Sequence, residues 1–259
     1  MKTLCAACLV PENPDDRDAE TCVNVVRGLA TVCETLTGAC IDSTLSVPAS
    51  EESLLDVIKN AVVDCLFKAL EDYLVDNRGD VGSWVREAAM EALEKCIYII
   101  CRSLTAFTGN GIKMRHAYTS DEGFMSDTQK ENSLFDSNLT ARLIGGIAKQ
   151  EVEKIDKVRD IAGRTLQRIL HNDYIFVPYI PHRCILEVIV PKDGTFNWAA
   201  PSTCFPCLVR LLQFNEYRTC VLSGLVISIG GLAYSLRKAS LSALLEYVQI
   251  SVLERSTVC

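Results

Sequence analysis

Two stretches place an arginine where it could neutralise a buried acid. WVREAAMEAL (residues 84–93) and KVRDIAGRTL (157–166) superpose with Arg86 on Arg159, Ala89 on Ala162 and Leu93 on Leu166. Six residues before each arginine stands an acid, Asp80 in the first stretch and Glu153 in the second. An acid and a guanidinium at one fixed offset suit charge-assisted hydrogen bonds, and the small residues between them let a neighbouring helix come close. Such pairs could form a ladder between adjacent repeats of a stacked helical array. The same arginines could also complete a GTPase site in trans, as arginine fingers. A repeated offset explains both arginines at once as structural pairs, so the ladder is the expectation.

Other reactive groups are scattered. The thirteen cysteines are odd in number and set mostly among apolar residues, which fits buried thiols in a reducing compartment. Two Cys-x-x-Cys pairs exist, Cys5/Cys8 and Cys204/Cys207, and a zinc or thiol enzyme would need them to meet across nearly the whole chain. His116, His171 and His182 stand apart from one another and from an evident acid or thiol, so none is placed as a general base. A P-loop, a Gly-rich dinucleotide turn, a nucleophile elbow and a helical zinc-protease motif are all missing. No cofactor or metal site is therefore expected. The tripeptide Arg78-Gly79-Asp80 resembles an adhesion motif, but it directly precedes a helical run and reads better as the turn that starts it. Asn138-Leu139-Thr140 is a formal glycosylation acceptor, void in the cytosol.

The elements that must hold these residues are helical. Of 259 residues, 49% are hydrophobic and 23% charged, a globular balance, and the net charge of −7 argues against nucleic acid as a partner. Leu4 to Val10 is marginal as a secretory h-region, so the chain is read as cytoplasmic. Thr219 to Leu236 has no charge and formally meets the length of a membrane span. Its glycines and serines fit two buried helix segments meeting at Gly230-Gly231 better than a span.

Apolar residues recur at helical spacing from Cys22 to Leu36, Leu54 to Tyr73, Val85 to Ile100, Leu139 to Val152 and Ile155 to Leu170. Ser50 is a candidate N-cap ahead of Glu51 and Glu52. Prolines punctuate 172–203, where Ile185 to Val190 reads as a short extended piece. Further helices are expected over about 204–212, 217–229 and 236–253. The fold class is all-α, a HEAT/armadillo-type helical-repeat solenoid. It divides into 1–20 as an end outside the repeats, 21–107 as repeats, 108–133 as an exposed loop, 134–253 as repeats and 254–259 as a tail.

Four blocks carry a family resemblance. EDYLVDNRGDVGSWVREAAMEAL (71–93), VPYIPHR (177–183), FNWAAPSTCFP (196–206) and YRTCVLSGLVISIGGL (217–232) resemble, in order, segments from the C-terminal half of the tubulin-folding cofactor D family of tubulin-specific chaperones. Members of that family are much longer helical-repeat proteins, so the resemblance implies a part of such a solenoid. A cut array should expose apolar helix faces at its ends.

The resemblance implies a chaperone without catalytic residues of its own. Its family captures β-tubulin, joins it to α-tubulin held by a sister cofactor, assists GTP hydrolysis by tubulin, and interacts with an Arf-like small GTPase. Cytoplasmic location with microtubule association follows from the same likeness. A generic helical-repeat scaffold or small-GTPase adaptor is the alternative. In the proline-stiffened stretch 179–183, Tyr179, His182 and Arg183 suit an exposed partner contact, with an inter-repeat strap as the competing reading.

Overall fold

The computed structural model describes residues 18–42, 54–108 and 135–257. The expected N-terminal segment up to residue 17, the 109–133 part of the loop, Cys5/Cys8, His116 and the Ser50 cap lie outside the described residues. Two compact units are present, Met1–Thr140 with Asn172–Tyr179 and Ala141–His171 with Ile180–Cys259.

In the first unit, helix α1 (Ala19–Asp42) is capped by Asp18, whose carboxylate accepts from the Thr21 backbone N–H at 2.9 Å. Its buried face, Cys22, Val26, Leu29, Ala30 and Cys33, follows the helical period. Helix α2 (residues 54–69) opens at Leu54–Val57, widens to a π-turn over Ile58–Val63 and closes over Asp64–Ala69. A two-residue hairpin follows, β1 (Val75–Asp76) against β2 (Gly79–Asp80), before helix α3 (Gly82–Thr108). Gly79 has φ +107°, a conformation that suits glycine. Gly82 is needed for a different reason, because a Cβ there would lie 2.5 Å from the Asp72 carbonyl oxygen. Helices α1 and α3 run in the same direction, since Glu20 meets Arg78 while Glu34 meets Lys95. Next to the Glu34–Lys95 pair, Cys33 of α1 and Cys96 of α3 are both fully buried in the core. Two consecutive helices of one kind packed in parallel are what a stacked helix-pair array requires.

The second unit is also helical. It contains α4 (Ser137–Glu151) from Ala141 onward, α5 (Asp156–His171), α6 (Arg183–Ile189), α7 (Pro201–Leu208), α8 (Asn215–Ile229) and α9 (Tyr234–Thr257). A 3₁₀ turn over Val209–Gln213 extends α7. Glycines set the close approach of α4 to α8. A Cβ at Gly145 would meet Cys220 Sγ at 3.2 Å, and one at Gly224 would meet the Lys149 carbonyl oxygen at 2.3 Å. Because 145 faces 220 and 149 faces 224, these helices too run in parallel.

The class is all-α and of helical-repeat type, as the periodicity predicts. Ile185 to Val190 is corrected: Arg183–Ile189 is helical, and only Val190 is extended. β-branched residues and flanking prolines suggested a strand, but burial of Leu186 and Ile189 at i, i+3 decides the segment. The 219–236 stretch is interrupted where α8 ends at Ile229 and Gly230 takes the C-cap position. Among the described residues no helix is long and apolar enough to cross a membrane. The expectation that both segments there are buried is corrected, since Leu222, Val226, Leu232 and Tyr234 are exposed. At the C-terminal end, α9 runs through to Thr257 and takes in most of the predicted tail.

Candidate functional site

The first acid–arginine pair forms where the hairpin turns into α3. Arg86 lies on the buried face of the helix's first turns with no exposed surface, and its Nη1 donates to Asp80 Oδ1 at 3.2 Å and to the Asp72 carbonyl oxygen. Its guanidinium sits 4.2 Å from the centre of the Tyr73 ring. Asp80 Oδ1 also accepts from the Ser83 backbone N–H at 3.1 Å, so the same carboxylate caps α3 and holds the arginine. Arg78 of the tripeptide bonds Asp76 and Glu20 at the surface. With Asp80 turned inward, Arg78-Gly79-Asp80 is the hairpin and helix start that its spacing predicts.

The second pair diverges from the first. Arg159 Nη1 donates to the backbone oxygen of Glu153 at 2.8 Å, while Nε and Nη2 donate to the Ala199 carbonyl oxygen at 3.1 and 2.6 Å. Glu153 turns its own carboxylate to the Ile155 N–H at 3.0 Å, capping the start of α5. Burial holds the Arg159 guanidinium below its ordinary value. The ladder between adjacent repeats is therefore corrected. These bonds run from each arginine to the loop preceding its own helix, and from Arg159 to the loop before α7. An offset of six residues spans a helix start: at Arg86 the acid and a loop carbonyl converge on the guanidinium, whereas at Arg159 loop carbonyls alone do.

The 179–183 stretch separates in the structure. Tyr179 and His182 have φ of 58° and 56°, a left-handed backbone unusual for bulky residues. Tyr179 is half-buried, and its carbonyl oxygen accepts from Thr140 Oγ1 at 2.6 Å. Arg183 is buried, donating to the Leu170 carbonyl oxygen at 2.6 Å and to Glu187 Oε1 at 2.7 Å. Its assignment as an exposed contact is corrected, because its charge is spent closing the end of α5. His182 alone of the three is exposed. Its ring stacks on Phe214 at 4.1 Å and reaches Glu216 Oε2 at 3.2 Å. Glu216 is held below its usual range by its own backbone N–H first and by His182 second. Beneath them, buried Tyr217 donates to the Pro181 carbonyl oxygen at 2.7 Å, which locks the turn that presents His182.

A buried polar cluster that the sequence did not reveal surrounds the C-terminus of α4. Glu151 is fully buried, and neither carboxyl oxygen has a hydrogen-bond partner among the described residues. Burial pushes its carboxyl well above the usual range. Cys204 donates to the Glu151 backbone oxygen at 3.9 Å, and Ser228 donates to the Val152 oxygen at 2.7 Å, so side chains of α7 and α8 satisfy these helix-end carbonyls. Burial first, and the neighbouring Glu151 second, raise both the Cys204 and Cys207 thiols. That environment favours the thiol over the thiolate, the opposite of what a nucleophile or metal ligand needs. Among the described residues no three His, Cys, Asp or Glu side chains converge to hold a metal ion. In sequence Glu151 stands in AKQEVEKID, a charged run that gives no sign of burial.

Residues 141–258 match the family model described as Tubulin folding cofactor D C terminal. Tubulin-specific chaperone D of Dictyostelium discoideum is 30% identical over 187 residues, which are 71% of this chain and 12% of that protein's length. The chain thus spans a small part of the curated relative it matches. No solved structure matches.

Proposed function

Residues 141–258 belong to the tubulin folding cofactor D C-terminal family, and from that premise we propose that the chain is a tubulin-chaperone module. In this reading it binds β-tubulin and takes part in joining it to α-tubulin with other tubulin-folding cofactors. It assists GTP hydrolysis by tubulin rather than hydrolysing nucleotide itself, and an Arf-like small GTPase is a further partner. The work is cytoplasmic and associated with microtubules. The observation that carries the proposal is the family match over 141–258, which takes in nearly all of the second unit and residues 172–179 of the first. The arrangement of polar groups supports it: the buried arginines and thiols serve the scaffold, which leaves recognition to its surface.

The contact we assign is His182 with Phe214 and Glu216. A ring fixed by stacking, presented on a turn that Tyr217 locks, offers a preorganised polar contact at low entropic cost. Immobilised chain is to be challenged with purified tubulin dimer and with a GTP-bound Arf-like GTPase. Retention of tubulin is expected, and His182→Ala should weaken it with the melting temperature unchanged. Retention of the small GTPase without tubulin would favour the adaptor reading. Failure to retain either would sink the proposal.

A further inference from the structure

Helix α9 carries a serine that its own packing leaves unsatisfied. The helix lies on α7, the 3₁₀ turn and α8. Of its described side chains only Leu236, Ser240 and Ala243 are buried, with Ala239, Leu244 and Tyr247 half-buried. The buried three fall at i, i+4 and i+7, one row along one face. Leu236 is thus the one large apolar side chain of α9 that the contact buries, so the hold on the helix is weak. Ser240 has no exposed surface, and its hydroxyl finds no hydrogen-bond partner among the described residues. A buried hydroxyl left unpaired opposes docking, because water satisfies it once the helix lifts.

The residues around Ser240 carry a charge pattern of their own. Arg237 and Lys238 are exposed three and two positions before it, and exposed Leu241 follows it. Arg-Lys-x-Ser occurs once in the 259 residues. Two cations ahead of a serine and an apolar residue after it suit the acidic substrate groove of a basophilic serine/threonine kinase. We propose that Ser240 is a phosphorylation site for a kinase of this class, reached when α9 lifts from α7 and α8, and that the phosphate then holds the helix off. In the transfer, the γ-phosphoryl of ATP passes to Ser240 Oγ, the hydroxyl proton goes to the kinase's catalytic aspartate, and ADP leaves. A group of charge about −1.5 to −2 is barred from a buried position that offers even the hydroxyl no partner.

The test uses the whole chain without tubulin, so its failure is separate from failure of the chaperone reading. The chain is incubated with ATP and the catalytic subunit of cAMP-dependent protein kinase. Peptide mass spectrometry should place a phosphate on Ser240, and replacing both Arg237 and Lys238 with alanine should slow its transfer at least about tenfold. Leu236→Ala removes the anchor and should speed transfer at least about tenfold by raising the open fraction, with circular dichroism checking that the chain stays folded. Ala243→Gly, a milder loosening, serves if Leu236→Ala does not fold. In hydrogen exchange, phosphorylation should speed the α9 amides at least about tenfold with α4 and α5 unchanged, and Ser240→Ala should slow them at least about fivefold. Phosphate on Ser242 but not on Ser240, transfer indifferent to the two cations, or α9 exchange unaltered by the phosphate would each overturn the proposal. Faster α9 exchange in Ser240→Ala would overturn it too, by showing that the hydroxyl helps to dock the helix.

Discussion

Replacing Glu151 with glutamine should change how stability depends on pH. The carboxyl is buried with neither oxygen hydrogen-bonded among the described residues, and burial raises its pKa well above the ordinary value of 4.5. Above that ordinary value the unfolded chain has given up the proton while the folded chain keeps it. The folded state therefore binds more protons, and stability falls as pH rises. The contribution is fully present below the unfolded pKa and is lost as pH climbs towards the folded one. While the folded carboxyl keeps its proton, the slope is about 1.4 kcal/mol per pH unit, which reaches about 2.7 kcal/mol over two units. Against a total stability of about 5–15 kcal/mol that is a large share. Urea denaturation at pH 5, 6, 7 and 8 measures it. Glu151→Gln carries a fixed cost or gain from burying an amide, and that offset is independent of pH. The difference between the two proteins should therefore change steadily in favour of the variant as pH rises. Parallel curves would show that Glu151 is solvated or paired and would refute the reasoning.

Two further outcomes follow from packing and charge. Arg86→Met strands Asp80 beside α3 without its guanidinium, a loss of about 3–5 kcal/mol in urea titration. Adding Asp80→Asn should recover part of that loss, giving less than the sum of the single effects. Gly163→Ala would put a Cβ 2.2 Å from Trp198 Cδ2, in a contact with no space to yield. Overpacking of this kind costs about 1–3 kcal/mol, and displacement of the fully buried indole should shift its fluorescence to longer wavelength.

Much of this protein was legible in its sequence. The apolar stripes of α3 and α5 named the apolar residues of their buried faces, because a helix ties side-chain direction directly to spacing. But Glu87 and Glu94, which spacing sets opposite the α3 stripe, are buried as well. The turn before α3 was legible too, since Gly79 and Asp80 have roles set by local backbone geometry. Repeated order of motifs carried the family likeness, which the comparisons bear out over 141–258. What spacing could not give was the destination of each polar group. Arg86 finds the acid six residues before it, whereas Arg159 at the same offset finds backbone oxygens, one of them forty residues away on Ala199. Arg183, which reads as a surface residue in sequence, is buried against the end of α5, and Glu151 in its charged run is sealed beneath α7 and α8. Helix formation is decided by neighbours in the chain. Burial of a charge is decided by whatever packs over it, and only tertiary structure brings those groups together.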